Sequence, residues 1–191
     1  MRLFLAINLD AGVRHAIMDA AAPLRAAAPA LRWVSDAKLH LTLKFLGQQP
    51  PESVDRLREA LDDVAPRHRR FTMRLRQVGA FPNFRRARVV WMGVAHDARL
   101  ELLHHDVEVA CEARGFELDG RAFRPHITLA RVSDGVPEDT LRQLSRAAKR
   151  VDLEQECTVE SIDVMQSING VDGDGAGSRY ERLHAAPLRS S

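Results

Sequence analysis

The chain has 191 residues, 45% of them hydrophobic and 28% charged, with a formal net charge of +2. That composition fits one sizeable globular domain or two small lobes, and the net charge by itself says nothing about nucleic acid. Two cysteines, Cys111 and Cys157, with no C-x-x-C spacing argue against a disulfide framework or a zinc site, and no stretch approaches the ~20 apolar residues of a bilayer span.

Met1 to Asp10 is too short in its apolar run for a signal peptide, so the chain reads as cytosolic. Leu3 to Leu9 alternates closely enough for a strand, and Asp10 caps a helix from Ala11 to about Ala28, with Val13, Ile17 and Leu24 on a helical period. His40-Leu41-Thr42-Leu43 has the composition of a buried strand. Pro51-Glu52 opens a helix to about Val64, and Phe71 to Ala80 follows as a strand. Arg88 to Val94 (RVVWMGV) is the next strand, and Asp97 caps a helix that carries Leu100, Leu103, Val107 and Ala110 and stops at Gly115. A second strand of the same type, His126-Ile127-Thr128-Leu129, precedes a helix from Pro137-Glu138 to about Lys149 and a strand from Cys157 to Gln166. Residues 169–178 (NGVDGDGAGS) read as a mobile hairpin loop before a last strand from Arg179 to about His184. Asp172 and Asp174 in that loop lack the spacing and terminal Glu of a calcium loop. From Pro66 to Ala95 there is no acidic residue, while Arg67, Arg69, Arg70, Arg74, Arg76, Arg85, Arg86 and Arg88 supply positive charge. Such a stretch reads either as a solvated Arg-rich strand pair or as a surface that attracts a polyanion.

The two His motifs stand 86 positions apart, and the strands, helices and Pro-Glu starts around them keep nearly the same offset. Five elements at one spacing imply a structural duplication of order β-α-β-α-β. The expected fold class is α+β: two pseudo-symmetric lobes, each a mostly antiparallel sheet with helices on its outer face, and a groove between them. The duplication divides the single bilobal domain at approximately 1–84 and 85–191, with strands free to cross between lobes.

On a strand, residues i and i+2 share a face, so each motif sets an imidazole beside a hydroxyl, about 6.6 Å apart at ~3.3 Å per residue. Two such pairs facing each other supply two proton-transfer groups and two hydrogen-bond donors, a kit for opening a phosphodiester without a metal. Histidine, with an ordinary pKa near ~6.5, can furnish one neutral base and one protonated acid at neutral pH. Metal binding is the weaker reading, because Thr is not a zinc ligand and neither motif carries His-x-x-x-His or a neighbouring carboxylate. Strict alternation places Lys44 on the face of His40 and Thr42, and Arg124 on the face of His126 and Thr128, as candidate phosphate clamps. The same parity turns Arg131 away, unless the strand bends first.

The blocks MRLFLAINL, RWV, HLTLKFLG, VGAFPNFRRARVVWMGV and RAFRPHITLAR span nearly the whole chain. In them the sequence resembles the 2H phosphoesterases, and within these the RNA 2′,3′-cyclic phosphodiesterases first described as 2′-5′ RNA ligases. The resemblance implies a bilobal fold and hydrolysis of RNA 2′,3′-cyclic phosphate ends to 2′-phosphomonoesters, with feeble reverse ligation. It also implies His40 as proton donor, His126 as proton acceptor and Arg131 at the phosphate, whereas the near-equivalent motifs alone do not order the two imidazoles. No cofactor is expected. The expected partners are RNA ends or nucleotides bearing a cyclic phosphate, tRNA fragments among them; no membrane partner is expected, and the chain is expected to act as a monomer. The competing reading is a nucleotide- or RNA-end-binding module of the same fold without turnover. Where the family shows Gly-Ala-x-Tyr before the last strand, this chain has Gly177-Ser178-Arg179-Tyr180.

Overall fold

The computed structural model describes residues 1–170 and 177–190. Its strands are β1 (Arg2–Asn8), β2 (Arg32–Trp33), β3 (His40–Gln48), β4 (Phe71–Phe81), β5 (Val89–Val94), β6 (His126–Arg131), β7 (Glu154–Val159), β8 (Ser161–Gly170) and β9 (Gly177–Pro187). The helices are α1 (Ala11–Ala27), α2 (Ser53–Val64), α3 (Ala98–Glu112) and α4 (Glu138–Ala148). Asp10 and Asp97 cap α1 and α3 as their sequence positions imply: their carboxylates accept from the backbone N–H of Val13 and Arg99. Past α3, Gly115 takes φ +83°, a conformation that costs glycine least.

All nine strands form one antiparallel sheet in the order β7-β4-β5-β6-β3-β1-β8-β9, with β2 added beside β6. The order reads outward in the same way from the centre, where β3 and β6 carry the two His motifs. That seam is thin, a single register pair between Leu41 and Ile127, and the two lobes are the sheet's halves on either side of it. Each half borrows a strand. β4 follows the first helix pair in sequence yet joins β5, and β8 follows the second yet joins β1. The stretch expected as one strand from Cys157 to Gln166 is therefore two: β7 pairs with β4, Glu160 interrupts, and β8 crosses to the far half.

One face of the sheet packs on the helices. Leu3, Leu5 and Ile7 of β1, Leu41 of β3 and Ile127 of β6 point into a core shared with Ile17, Leu24, Leu57, Leu61, Leu103 and Leu144. Full burial of one such side chain contributes roughly 1.5–3 kcal/mol. The alternate residues of β1, Phe4 and Ala6, form a small separate cluster with Met165 and Tyr180 on the opposite face. That second face is the groove.

β8 and β9 extend to Gly170 and from Gly177, further into the glycine-rich stretch than the loop expected over 169–178. The Asp172/Asp174 pair lies outside the described residues. Cys111 and Cys157 are buried free thiols, their pKa pushed by burial up to about 11 and about 12. In the Arg-rich stretch, Arg74 and Arg76 stand opposite Glu156 and Glu154 across the β4–β7 ladder, and Arg70 and Arg88 reach Glu160 and Asp134. That favours the solvated strand pair over a free polyanion surface at those four positions. Among the described residues no helix is long and apolar enough to cross a membrane.

Candidate active site

The antiparallel register through Leu41 and Ile127, continued by one residue each way, sets His40 opposite Thr128 and Thr42 opposite His126. Opposed groups on one face lie about 4.5–5.5 Å apart at Cβ, and diagonal ones about 7–8 Å apart. The two imidazoles are thus diagonal partners on the groove face, close enough to flank one phosphate.

Both rings are held alike. Nδ1 of His40 lies 2.7 Å from the carbonyl oxygen of Lys38, and Nδ1 of His126 lies 2.7 Å from that of Arg124. A carbonyl oxygen only accepts, so Nδ1 carries the proton in each ring and Nε2 remains for chemistry. His40 Nε2 meets the Thr42 hydroxyl at 3.1 Å. Aromatic rings wall both sites: Phe4 and Tyr180 have centroids 5.0 and 5.3 Å from His40, and Phe81 and Trp91 lie 5.0 and 6.5 Å from His126. Burial pushes both imidazole pKa values down; the Lys38 and Arg124 carbonyls oppose this, while the Arg131 charge, and for His40 also that of His126, adds to it.

Thr42, Thr128 and Arg131 line the same cavity of about 860 Å³ as His40, whereas His126 lines a separate one of about 350 Å³ together with Arg124, Phe81 and Trp91. Arg124 lies in the chain just before β6, exposed, its guanidinium 5.9 Å from the Phe81 ring centre. It is beside His126, as parity required.

Parity failed at two positions, and for one reason. Opposite β1 the register skips Leu43, and opposite β5 it skips Leu129. Each skip is a β-bulge at the fourth residue of a His motif, and a bulge flips the faces of everything beyond it. Lys44 is accordingly turned from the groove into the core, 3% exposed. There its ammonium donates to both carboxylate oxygens of Glu108, at 2.9 and 2.7 Å, and to the Glu117 carbonyl at 2.7 Å. All three protons are engaged, so Lys44 is not a phosphate clamp. Arg131 is brought onto the groove face by the matching bulge, the placement the family resemblance implied and strict alternation denied. Its counterpart in the first half, Phe45, turns out likewise.

The aromatic walls went unread in the sequence. Phe4 could have been found from β1 itself, which is apolar on both faces, and Tyr180 is the chain's one tyrosine. The arrangement can hold a phosphate between two proton-transfer nitrogens, with two hydroxyls and a guanidinium at its oxygens. Among the described residues no three His, Cys, Asp or Glu side chains are grouped to hold a metal ion.

Two imidazoles on paired central strands of a strand-exchanged sheet define a class of phosphoester-handling folds, and the comparisons agree. The sequence profile of the 2′-5′ RNA ligase superfamily matches residues 13–170, and the chain belongs to that family, the 2H phosphoesterases. It is 32% identical to the RNA 2′,3′-cyclic phosphodiesterase of Geobacillus stearothermophilus, over 93% of this chain and 65% of that one. To the RNA 2′,3′-cyclic phosphodiesterase of Archaeoglobus fulgidus it is 34% identical, over 76% of this chain and 81% of that one. The crystal structure of E. coli LigT complexed with 3′-AMP superposes with a TM-score of 0.71 at 29% identity, covering 98% of this chain and 97% of the other. LigT has also been solved with ATP and with NADP+.

Proposed function

We propose that this protein is an RNA 2′,3′-cyclic phosphodiesterase that opens the ring to leave a 2′-phosphomonoester. The observation that carries this reading is the matched presentation of two Nε2 atoms, each fixed by a backbone carbonyl on Nδ1, diagonally across one seam. The nucleotide complexes of LigT support a nucleotide or RNA end as what the groove binds.

The larger cavity lies on the His40 side, so the ribose enters there and its departing oxygen lies against His40. His126 Nε2 takes a proton from water as the water oxygen bonds to phosphorus. The P–O3′ bond breaks, and His40, protonated at Nε2, gives its proton to O3′. Before that transfer the Nε2 proton is donated to the Thr42 oxygen, which leaves the Thr42 hydroxyl hydrogen for a phosphate oxygen. Thr128 and Arg131 serve the remaining charge. Each proton transfer is worth roughly 10²–10⁴ in rate. Arg124, beside His126, serves the phosphate from the water side.

Adenosine 2′,3′-cyclic phosphate incubated with the protein and followed by ³¹P NMR is expected to give the 2′-phosphate. A 3′-phosphate product means that O2′, not O3′, stands against the acid, and no product at all favours a binding module.

A further inference from the structure

The groove on the His40 side is longer than a cyclic mononucleotide needs. Along β1 and β3 it runs from the level of Asn8 and His40 to the level of Arg2 and Gln48, six residues or about 20 Å. Among the described residues its lining holds Arg2, Arg32, Lys38 and Arg131 and not one carboxylate. Arg32 stands in register with Arg131 and so belongs at the reacting phosphate. Arg2 stands at the far end. Between them the floor is aromatic: Phe4 and Tyr180 meet edge to face at 5.2 Å, and the Phe45 ring, 6.5 Å from Phe4, is 60% exposed, the most exposed large hydrophobic among the described residues. Of these rings Phe45 alone is open to solvent, and an exposed aromatic face in a basic groove is how single strands are held, bases stacking on rings while cations track the phosphates. The other half offers no such length, because Trp91 packs over Gly79 and Gly93, where a Cβ would come within 2.2 Å of its ring or 3.1 Å of it.

We propose that this groove holds the RNA upstream of the cyclic end: Phe45 stacks the base of the penultimate nucleotide, and Arg2 meets a phosphate 5′ to it. The enzyme then measures length, favouring an oligoribonucleotide end over a cyclic mononucleotide. The inference rests on the cyclic phosphodiesterase reading, and the test separates the two.

The measurement is kcat/KM on adenosine 2′,3′-cyclic phosphate and on a triadenylate ending in a 2′,3′-cyclic phosphate, across a salt series, for the wild type, Phe45→Ser and Arg2→Ser. The trimer is expected to exceed the monomer about tenfold or more, the scale of one base stacked on an aromatic ring. Phe45→Ser should abolish most of that advantage and leave the monomer within twofold. Arg2→Ser should flatten the trimer's log–log salt slope by about 0.7, the value for one phosphate contact on a single strand, and leave the monomer's slope alone. Both side chains are exposed, and thermal unfolding checks that the variants fold. Equal rates on trimer and monomer, or variants that slow both alike, overturn the inference while the enzymatic reading stands. Absence of turnover on both substrates overturns the enzymatic reading, and this inference with it.

Discussion

The two halves of the sheet share a backbone and divide the labour of the side chains. Each places an imidazole against a carbonyl two residues upstream, and each carries a bulge at the fourth residue of its motif. Beyond the bulges they part. The inward position is Lys44 in the first half and Ala130 in the second; the outward position is Phe45 in the first and Arg131 in the second. The imidazole held on a carbonyl is thus duplicated, whereas a guanidinium stands at the outward position of one half and an exposed aromatic ring at that of the other. A repeat can keep its catalytic geometry in the main chain and leave the flanking positions to diverge.

The shared element gives the largest expected effect. His40→Ala and His126→Ala should each lower kcat by about 10²–10⁴, and the double variant should be little worse than either, because the two transfers serve one step. Steady-state assays that find one variant near wild type break the symmetry outright.

Making the halves alike at the inward position comes next. Lys44→Ala copies Ala130, but it leaves Glu108 buried and unpaired, with the Glu117 carbonyl short of its donor. Removing one partner of such a pair typically costs 3–5 kcal/mol. Chemical denaturation should show a loss of that size, and a variant as stable as wild type would mean the pair is not buried as described.

The smallest effect, and the sharpest, is at the outward position. Arg131→Phe copies Phe45 and should reduce kcat/KM by roughly 10²–10³, as loss of one charge-stabilising donor does. It should also move the pH profile. A nearby cation disfavours the imidazolium, and Arg131 lowers the pKa of both histidines. In the wild type, burial and this charge together centre the kcat/KM bell below the ordinary histidine pKa of ~6.5. Removing the charge shifts both limbs to higher pH, only partly, because burial is the larger cause and remains. An unmoved profile would place Arg131 away from the imidazoles.

The four helices, the aspartate caps of α1 and α3 and the His-x-Thr strands were legible because each rests on local periodicity or on capping chemistry. What was not legible follows from long-range pairing. No residue type at Leu43 or Leu129 marks a bulge; the register with β1 and β5 creates it, and with it the fates of Lys44 and Arg131. Glu160 gives no sign that the chain changes partners there. Phe4 was hidden by a run of apolar residues in which both faces are filled, one by the core and the other by the groove. Resemblance to a family carried Arg131 where alternation could not.

The exchange of strands has a consequence for synthesis. β1 lies against β8, more than 150 residues later in the chain, and β4 waits for β5 and β7. A growing polypeptide therefore leaves the ribosome with β1 lacking one neighbour, an open edge of the kind that invites foreign strands. The walls around His40 come from distant parts of the chain, Phe4 before the first helix and Tyr180 in the last strand. The groove lacks one wall until both have been made.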